Sequence, residues 1–91
     1  MELKRVVVTG IGALTPIGSN VEEYKNGLIN GVSGANLITR FDASRFKTQF
    51  ACELKDYDPT KYFDRKEAKQ LDPYAQYALI AADEAIKDSG L

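Results

Sequence analysis

Histidine is absent from these 91 residues, and cysteine occurs once, as Cys52. A Ser/His or Cys/His nucleophile-and-base pair therefore cannot be assembled within one copy of the chain. A single thiol also excludes an intrachain disulfide and a cysteine-rich zinc site, so nothing points to an oxidising compartment. There is no excess of one charge either. Twelve basic residues face 13 acidic ones, for a net charge of −1, which gives no global field for nucleic acid or an anionic membrane; a basic site has to be a local patch. No apolar stretch approaches the ~20 residues of a membrane helix, and Met1–Arg5 leads into a short β-like run rather than the apolar core of a signal peptide. These exclusions lead us to expect a cytoplasmic protein that binds neither nucleic acid nor membrane.

With 44% hydrophobic and 27% charged residues the composition is that of a folded globular chain rather than a disordered one. A domain of this length buries only roughly 60–65% of its unfolded surface, so a helix-and-strand pattern lying on one sheet face leaves the other uncovered. Exposed apolar surface is expected if the chain is isolated.

The chain reads as one unit over residues 1–91, without repeats, low-complexity tracts or a linker. Val6-Val7-Val8-Thr9 is a β-branched run without polar alternation, which predicts an interior strand buried on both faces and ended by Gly10 and Gly12. Ser19-Asn20-Val21-Glu22 has the form of a capping box. Val21, Tyr24 and Leu28 then recur at helical spacing, predicting a helix from about Val21 to Asn30 that Gly31 stops. Ile38 and Phe41 are anchors in an irregular stretch. Phe50, Cys52 and Leu54 alternate with Gln49, Ala51 and Glu53, as in a second, half-exposed strand. Asp58-Pro59 pairs an acidic N-cap with proline at the first helical position and predicts a short turn through Phe63; a second short helix covers about Arg65 to Leu71. The same signal at Asp72-Pro73 starts the longest helix, which Gly90 ends. Its small-residue face is Tyr74, Ala78, Ala81 and Ala85, with Tyr77 and Ile80 beside it, and permits close approach of another element.

The first loop invites a phosphate-binding reading. A strand followed by Gly10-Ile11-Gly12 and a helix is similar to the dinucleotide fingerprint, but its last glycine is replaced by Thr15, Pro16 follows, and no acidic strand end stands at the usual distance downstream. A P-loop would need Gly-Lys-Ser or Gly-Lys-Thr where Gly18-Ser19 has no lysine. Glycines that turn the chain between a buried strand and a helix explain the segment better.

Taken together, Val6-Val7-Val8-Thr9-Gly10-Ile11-Gly12, Pro16-Ile17-Gly18, Gly31-x-Ser33-Gly34, Phe41-Asp42, Phe50-Ala51 and Arg65-Lys66-Glu67-x-Lys69-x-Leu71-Asp72 resemble the N-terminus of a β-ketoacyl-[acyl-carrier-protein] synthase, in its type II elongating form. The resemblance covers essentially the whole chain and rests on several motifs in order. It implies an α/β fold, the N-terminal portion of a thiolase-like architecture. It further implies a homodimeric parent enzyme, without a cofactor, that elongates acyl chains by decarboxylative Claisen condensation with malonyl-acyl-carrier protein. In that family a cysteine nucleophile at a buried helix N-terminus carries the acyl thioester, and two histidines assist decarboxylation and stabilise the enolate oxygen. None of the three maps onto these 91 residues, so the chain alone is expected to be inactive.

Cys52 is the tempting substitute for the missing nucleophile. Its apolar-phase position beside Glu53, without an adjacent cation or helix start, predicts a buried small hydrophobe and no catalytic role. The segment of interest is Arg65-Lys66-Glu67-Ala68-Lys69. On a helix Arg65 and Lys69 are four apart and Lys66 and Lys69 three apart, so three cations share one face. The resemblance implies that this face docks an acidic acyl carrier protein, with Lys66 and Lys69 at positions of the family motif; Gln70 stands where relatives often carry another basic residue. A solvated helix face of alternating charge is the plainer reading. Asp56 and Asp58 are explained by capping and turn formation, and Asp83, Glu84, Lys87 and Asp88 by the exposed face of the last helix, with Asp83 and Lys87 an i,i+4 pair. Two other functions remain open from sequence. One is a standalone, non-catalytic module that binds a carrier protein or partner subunit through residues 65–69. The other is a small dinucleotide-binding domain, which Thr15 and Pro16 disfavour.

Overall fold

Local signals account for most of the helices. The computed structural model describes residues 2–91 and contains α1 (Val21–Ile29), β1 (Ala35–Leu37), β2 (Phe50–Cys52), a 3-10 turn (Pro59–Lys61), α2 (Arg65–Gln70) and α3 (Pro73–Ser89). The cap of α1 is Asn20 rather than Ser19, its side chain accepting the Glu23 N–H at 2.9 Å. The 3-10 turn has the expected Asp58 cap, which accepts the Thr60 N–H at 3.0 Å. Pro73 opens α3 although Asp72 makes no side-chain cap bond, and Gly90 closes it with φ 79° in the left-handed region that favours glycine.

β1 and β2 form an antiparallel pair in the register Ala35↔Cys52, Asn36↔Ala51 and Leu37↔Phe50. The second strand was expected; its partner falls in the stretch read as irregular. The phase of β2 is inverted as well. Ala51 is its half-buried residue, whereas Phe50 and Cys52 are exposed, so Cys52 is not the buried hydrophobe that alternation predicted. Among the described residues β2 has one partner strand of three residues, and Phe50 and Cys52 stay exposed beside it.

Val6–Thr9 forms no strand among the described residues, and Val6 is 88% exposed. A strand buried on both faces needs neighbouring strands on its edges and helices over each face, and among the described residues the only sheet is the short pair elsewhere in the chain. The same shortage runs through the molecule. Among the described residues only Gly27, Ala43 and Gln76 are buried, and the radius of gyration is 16.6 Å, against about 12 Å for a compact domain of this length.

What organises the N-terminal segment is α3. A Cβ on Gly12 would lie against the Ala81 carbonyl, 2.8 Å from its carbon and 2.9 Å from the Ala85 nitrogen; one on Gly10 would meet the Ala85 carbonyl and stand 2.7 Å from the Ser89 nitrogen. The two glycines therefore do more than turn the chain: they let it lie directly on the backbone of α3. Polar contacts repeat the match. Ala13 N–H donates to Glu84 Oε1 at 2.9 Å and Ile11 N–H to Asp88 Oδ2 at 3.1 Å. Two residues of extended chain cover about 6.6 Å and four helical residues about 6 Å, so every second amide can meet every fourth helix side chain. Glu84 also accepts the Val21 N–H at 3.1 Å, tying the start of α1 to the same carboxylate. Glu84 is thus half-buried and structural, not part of a purely solvated face. The close-packed face of α3 accordingly contains Ala81 and Ala85 with Tyr77, while Tyr74 and Ala78 are exposed, a small rotation from the face expected. Asp83 and Lys87 do pair, at 2.8 Å.

Candidate functional site

α2 is too short to be stable in water by itself, because nucleating a helix fixes several residues for few hydrogen bonds. Asp64 supplies the missing start: its side chain accepts the Glu67 N–H at 2.8 Å, and its carbonyl accepts the Ala68 N–H at 2.9 Å. The preceding 3-10 turn packs against the helix. Arg65, Lys66 and Lys69 are all exposed on it, and none forms an ion pair among the described residues despite Glu67 within the same turns. The structure thus keeps together the three cations singled out from sequence and leaves their charge available at the surface.

The C-terminal end of α2 is held by a residue that sequence reading passed over. Gln76, on α3, is 5% exposed. Its amide nitrogen donates to the Ala68 carbonyl at 2.9 Å and the Leu71 carbonyl at 3.0 Å, and its oxygen accepts the Tyr57 hydroxyl at 2.6 Å. The available signal was a polar residue one turn before Ile80 and two before Glu84, on a stripe where apolar residues are expected.

Tyr57 continues the platform. Its ring stacks on Tyr62 with centroids 6.1 Å apart and meets Tyr77 edge-on at 5.1 Å, while the Tyr77 hydroxyl accepts from Arg40 at 2.9 Å. Burial, followed by the neighbouring Tyr77, raises the Tyr57 pKa. Tyr77 therefore has the packed environment expected of it, and Tyr74 does not. Beyond Arg40 lies Glu53. Its carboxylate accepts the Thr39 N–H at 3.1 Å and hydroxyl at 3.0 Å and stands 3.9 Å from the Arg40 guanidinium. The bond from the Thr39 amide is the main cause of the lowered Glu53 pKa. A carboxylate depressed in the folded state stabilises the fold above its unfolded pKa of about 4.3, and that contribution disappears as pH falls through the lower folded value. Glu53→Gln is therefore expected to flatten the acid limb of the stability curve below about pH 4. Acid titration of both proteins, followed by circular dichroism, checks this; identical acid limbs would contradict it.

The backbone donors of the first loop are already engaged. The Ile11 and Ala13 amides, which a dinucleotide phosphate would require, are occupied by the Asp88 and Glu84 carboxylates. Thr15 and Gly18 close the next turn on themselves through reciprocal backbone bonds of 2.8 and 3.2 Å. The cleft between the start of α1, the 3-10 turn and α3 is lined by groups of both charges, Lys61 and Lys87 with Glu23, Asp83 and Glu84, and by no thiol.

Comparison with known proteins gives this geometry its context. Residues 3–91 match the family described as "Beta-ketoacyl synthase, N-terminal domain". The chain is 50% identical over all 91 residues to a 3-oxoacyl-[acyl-carrier-protein] synthase 2 of Synechocystis, and covers 22% of that protein. It is 44% identical over 88 residues to the synthase of the same name from Staphylococcus aureus, covering 97% of this chain and 21% of the relative. Thus it spans about a fifth of the length of these relatives. Among solved structures, the ishigamide ketosynthase/chain length factor superposes with a TM-score of 0.81 at 42% identity, over 93% of this chain and 21% of that one. A type II polyketide ketosynthase in complex with its acyl-carrier protein superposes with a TM-score of 0.68 at 27% identity, over 93% and 22%. The helices and the strand pair are those of a thiolase-like α/β fold, and with a family match running from residue 3 to residue 91 the chain belongs to the β-ketoacyl synthase family, within its N-terminal domain.

Proposed function

We propose that this chain is the leading part of a 3-oxoacyl-[acyl-carrier-protein] synthase, an acyltransferase that elongates acyl chains by decarboxylative Claisen condensation in fatty acid synthesis. The observation that carries the reading is the 50% identity, over every residue of the chain, to a relative bearing that name. The nucleophile and its assisting groups are assigned to residues outside these 91, since no histidine is present and Cys52 stands on an exposed strand. The working enzyme is a cytoplasmic homodimer in this reading. The chain contributes scaffold and, through Arg65, Lys66 and Lys69, part of the surface on which the acyl carrier protein docks. Three exposed cations without ion-pair partners among the described residues suit an acidic partner, and the solved ketosynthase-carrier complex of a relative supports the choice of partner.

Reversing two charges tests the docking role. In the full-length enzyme Lys66→Glu/Lys69→Glu is expected to weaken carrier-protein binding by roughly tenfold at low ionic strength, with the difference shrinking as salt screens exposed charges over about 10 Å at 0.1 M. Turnover of a small acyl thioester without a carrier should be unchanged. Unaltered affinity at low salt would overturn the docking assignment.

A further inference from the structure

We infer that Gln76 is a positioning residue for carrier docking, holding the basic helix α2 at a fixed place against α3; this rests on the docking role proposed above. The last carbonyls of a helix have no partner within it. Among the described residues Gln76 supplies partners to Ala68 and Leu71, at 2.9 and 3.0 Å, with the two hydrogens of one amide. The Tyr57 hydroxyl at 2.6 Å fixes the amide's orientation, because it donates to the only atom that cannot serve those carbonyls. The side chain is almost fully buried and all of its polar atoms are used.

The chemistry of the clamp is specific to glutamine. A carboxylate in its place would aim an acceptor at two carbonyls, and methionine would fill the space while offering no donor. Ala68 lies between Lys66 and Lys69 in sequence, so the bond from Gln76 to its carbonyl acts on the turn that carries the two charges. Asp64 secures the other end of a six-residue helix. Loss of either end releases a segment that propensity alone does not keep helical, and the charges then sample many positions instead of one. Ordering them again on binding weakens the complex.

The test uses the full-length enzyme and its acyl carrier protein. Gln76→Met is expected to raise the carrier-protein Kd, and the KM for carrier-borne substrate, about five- to tenfold, as the loss of a preorganised surface implies. Both kcat and KM for a small acyl thioester without a carrier should stay within about twofold, because only the docking step is touched. Hydrogen exchange at the Leu71 amide, which donates to the Glu67 carbonyl, should accelerate. Added to Lys66→Glu/Lys69→Glu, the Gln76 substitution should cause little further loss, since the charges it positions are already gone. If Gln76→Met yields no folded protein, Gln76→Ser leaves room for water at the two carbonyls and is expected to act in the same direction. Unchanged carrier affinity in the Gln76 variant, with affinity lost in the charge reversal, overturns the inference and leaves docking intact. An equal loss with the carrier-free thioester also overturns it, marking a general structural role. Unchanged affinity in the charge reversal overturns the docking role, and the inference falls with it even where exchange at Leu71 shows that Gln76 secures the helix.

Discussion

Gly12→Ala is expected to destabilise the protein by about 3 kcal/mol or more, at the upper end for an overpacked site. The added methyl would overlap the Ala81 carbonyl and press on the Ala85 nitrogen at 2.9 Å. Both are backbone atoms of α3, which cannot swing aside as a side chain would. The segment must lift away from the helix, and the Ala13 to Glu84 bond stretches with it. Gly31→Ala provides the contrast. That glycine has a positive φ of 66° with nothing within 4 Å of an added Cβ, so only conformational strain opposes the change, on the order of 1 kcal/mol. Denaturant unfolding of the two variants measures the difference. Equal stability losses would contradict close backbone contact as the reason for glycine at position 12.

Glu84→Ala should cost about 2–4 kcal/mol: hydrogen bonds to a charged group contribute roughly 1.5–3 kcal/mol each and this carboxylate makes two, a sum reduced by solvent screening because the group is half-exposed. One oxygen serves Ala13 and the other Val21, so a single side chain joins the N-terminal segment, the start of α1 and α3. Glutamine at this position keeps one acceptor and turns an NH2 group toward the second amide, where two donors oppose each other. Glu84→Gln is therefore expected to lose about half or more of what alanine loses. A Glu84→Gln variant with wild-type stability in thermal unfolding would show that the two bonds are not jointly important.

These two contacts also separate what the chain reveals in one dimension from what it does not. Asp58-Pro59, Asp72-Pro73 and Gly90 act on their own neighbours, and each marks a helix boundary that the structure contains. The β1–β2 pairing depends on residues that find one another across a connection of 12 residues, and Asn36 within β1 carries little strand preference. The interior strand predicted over Val6–Thr9 requires partners that are not among these residues, so among the described residues the apolar run has neither strand pairing nor burial. Gln76 and Glu84 belong to a further class. A polar residue on the packed stripe of a helix signals a tether, but its partner cannot be named until the chain is folded. For the candidate site, the spacing of Arg65, Lys66 and Lys69 was enough to place three charges on one exposed face. Their assignment to a carrier protein comes from the family resemblance, because charged helix faces of this kind are common in proteins that dock nothing.

The central proposal is that these residues serve a condensing enzyme whose chemistry is supplied elsewhere in the same polypeptide. The most direct test is the intact mass of the protein that carries this sequence in its native cells. A species several times heavier than 10.1 kDa is expected, given that the chain spans 22% of its relative from Synechocystis. A native species of 10.1 kDa would contradict the account, leaving catalysis without its residues and favouring a non-catalytic module that binds a partner through α2.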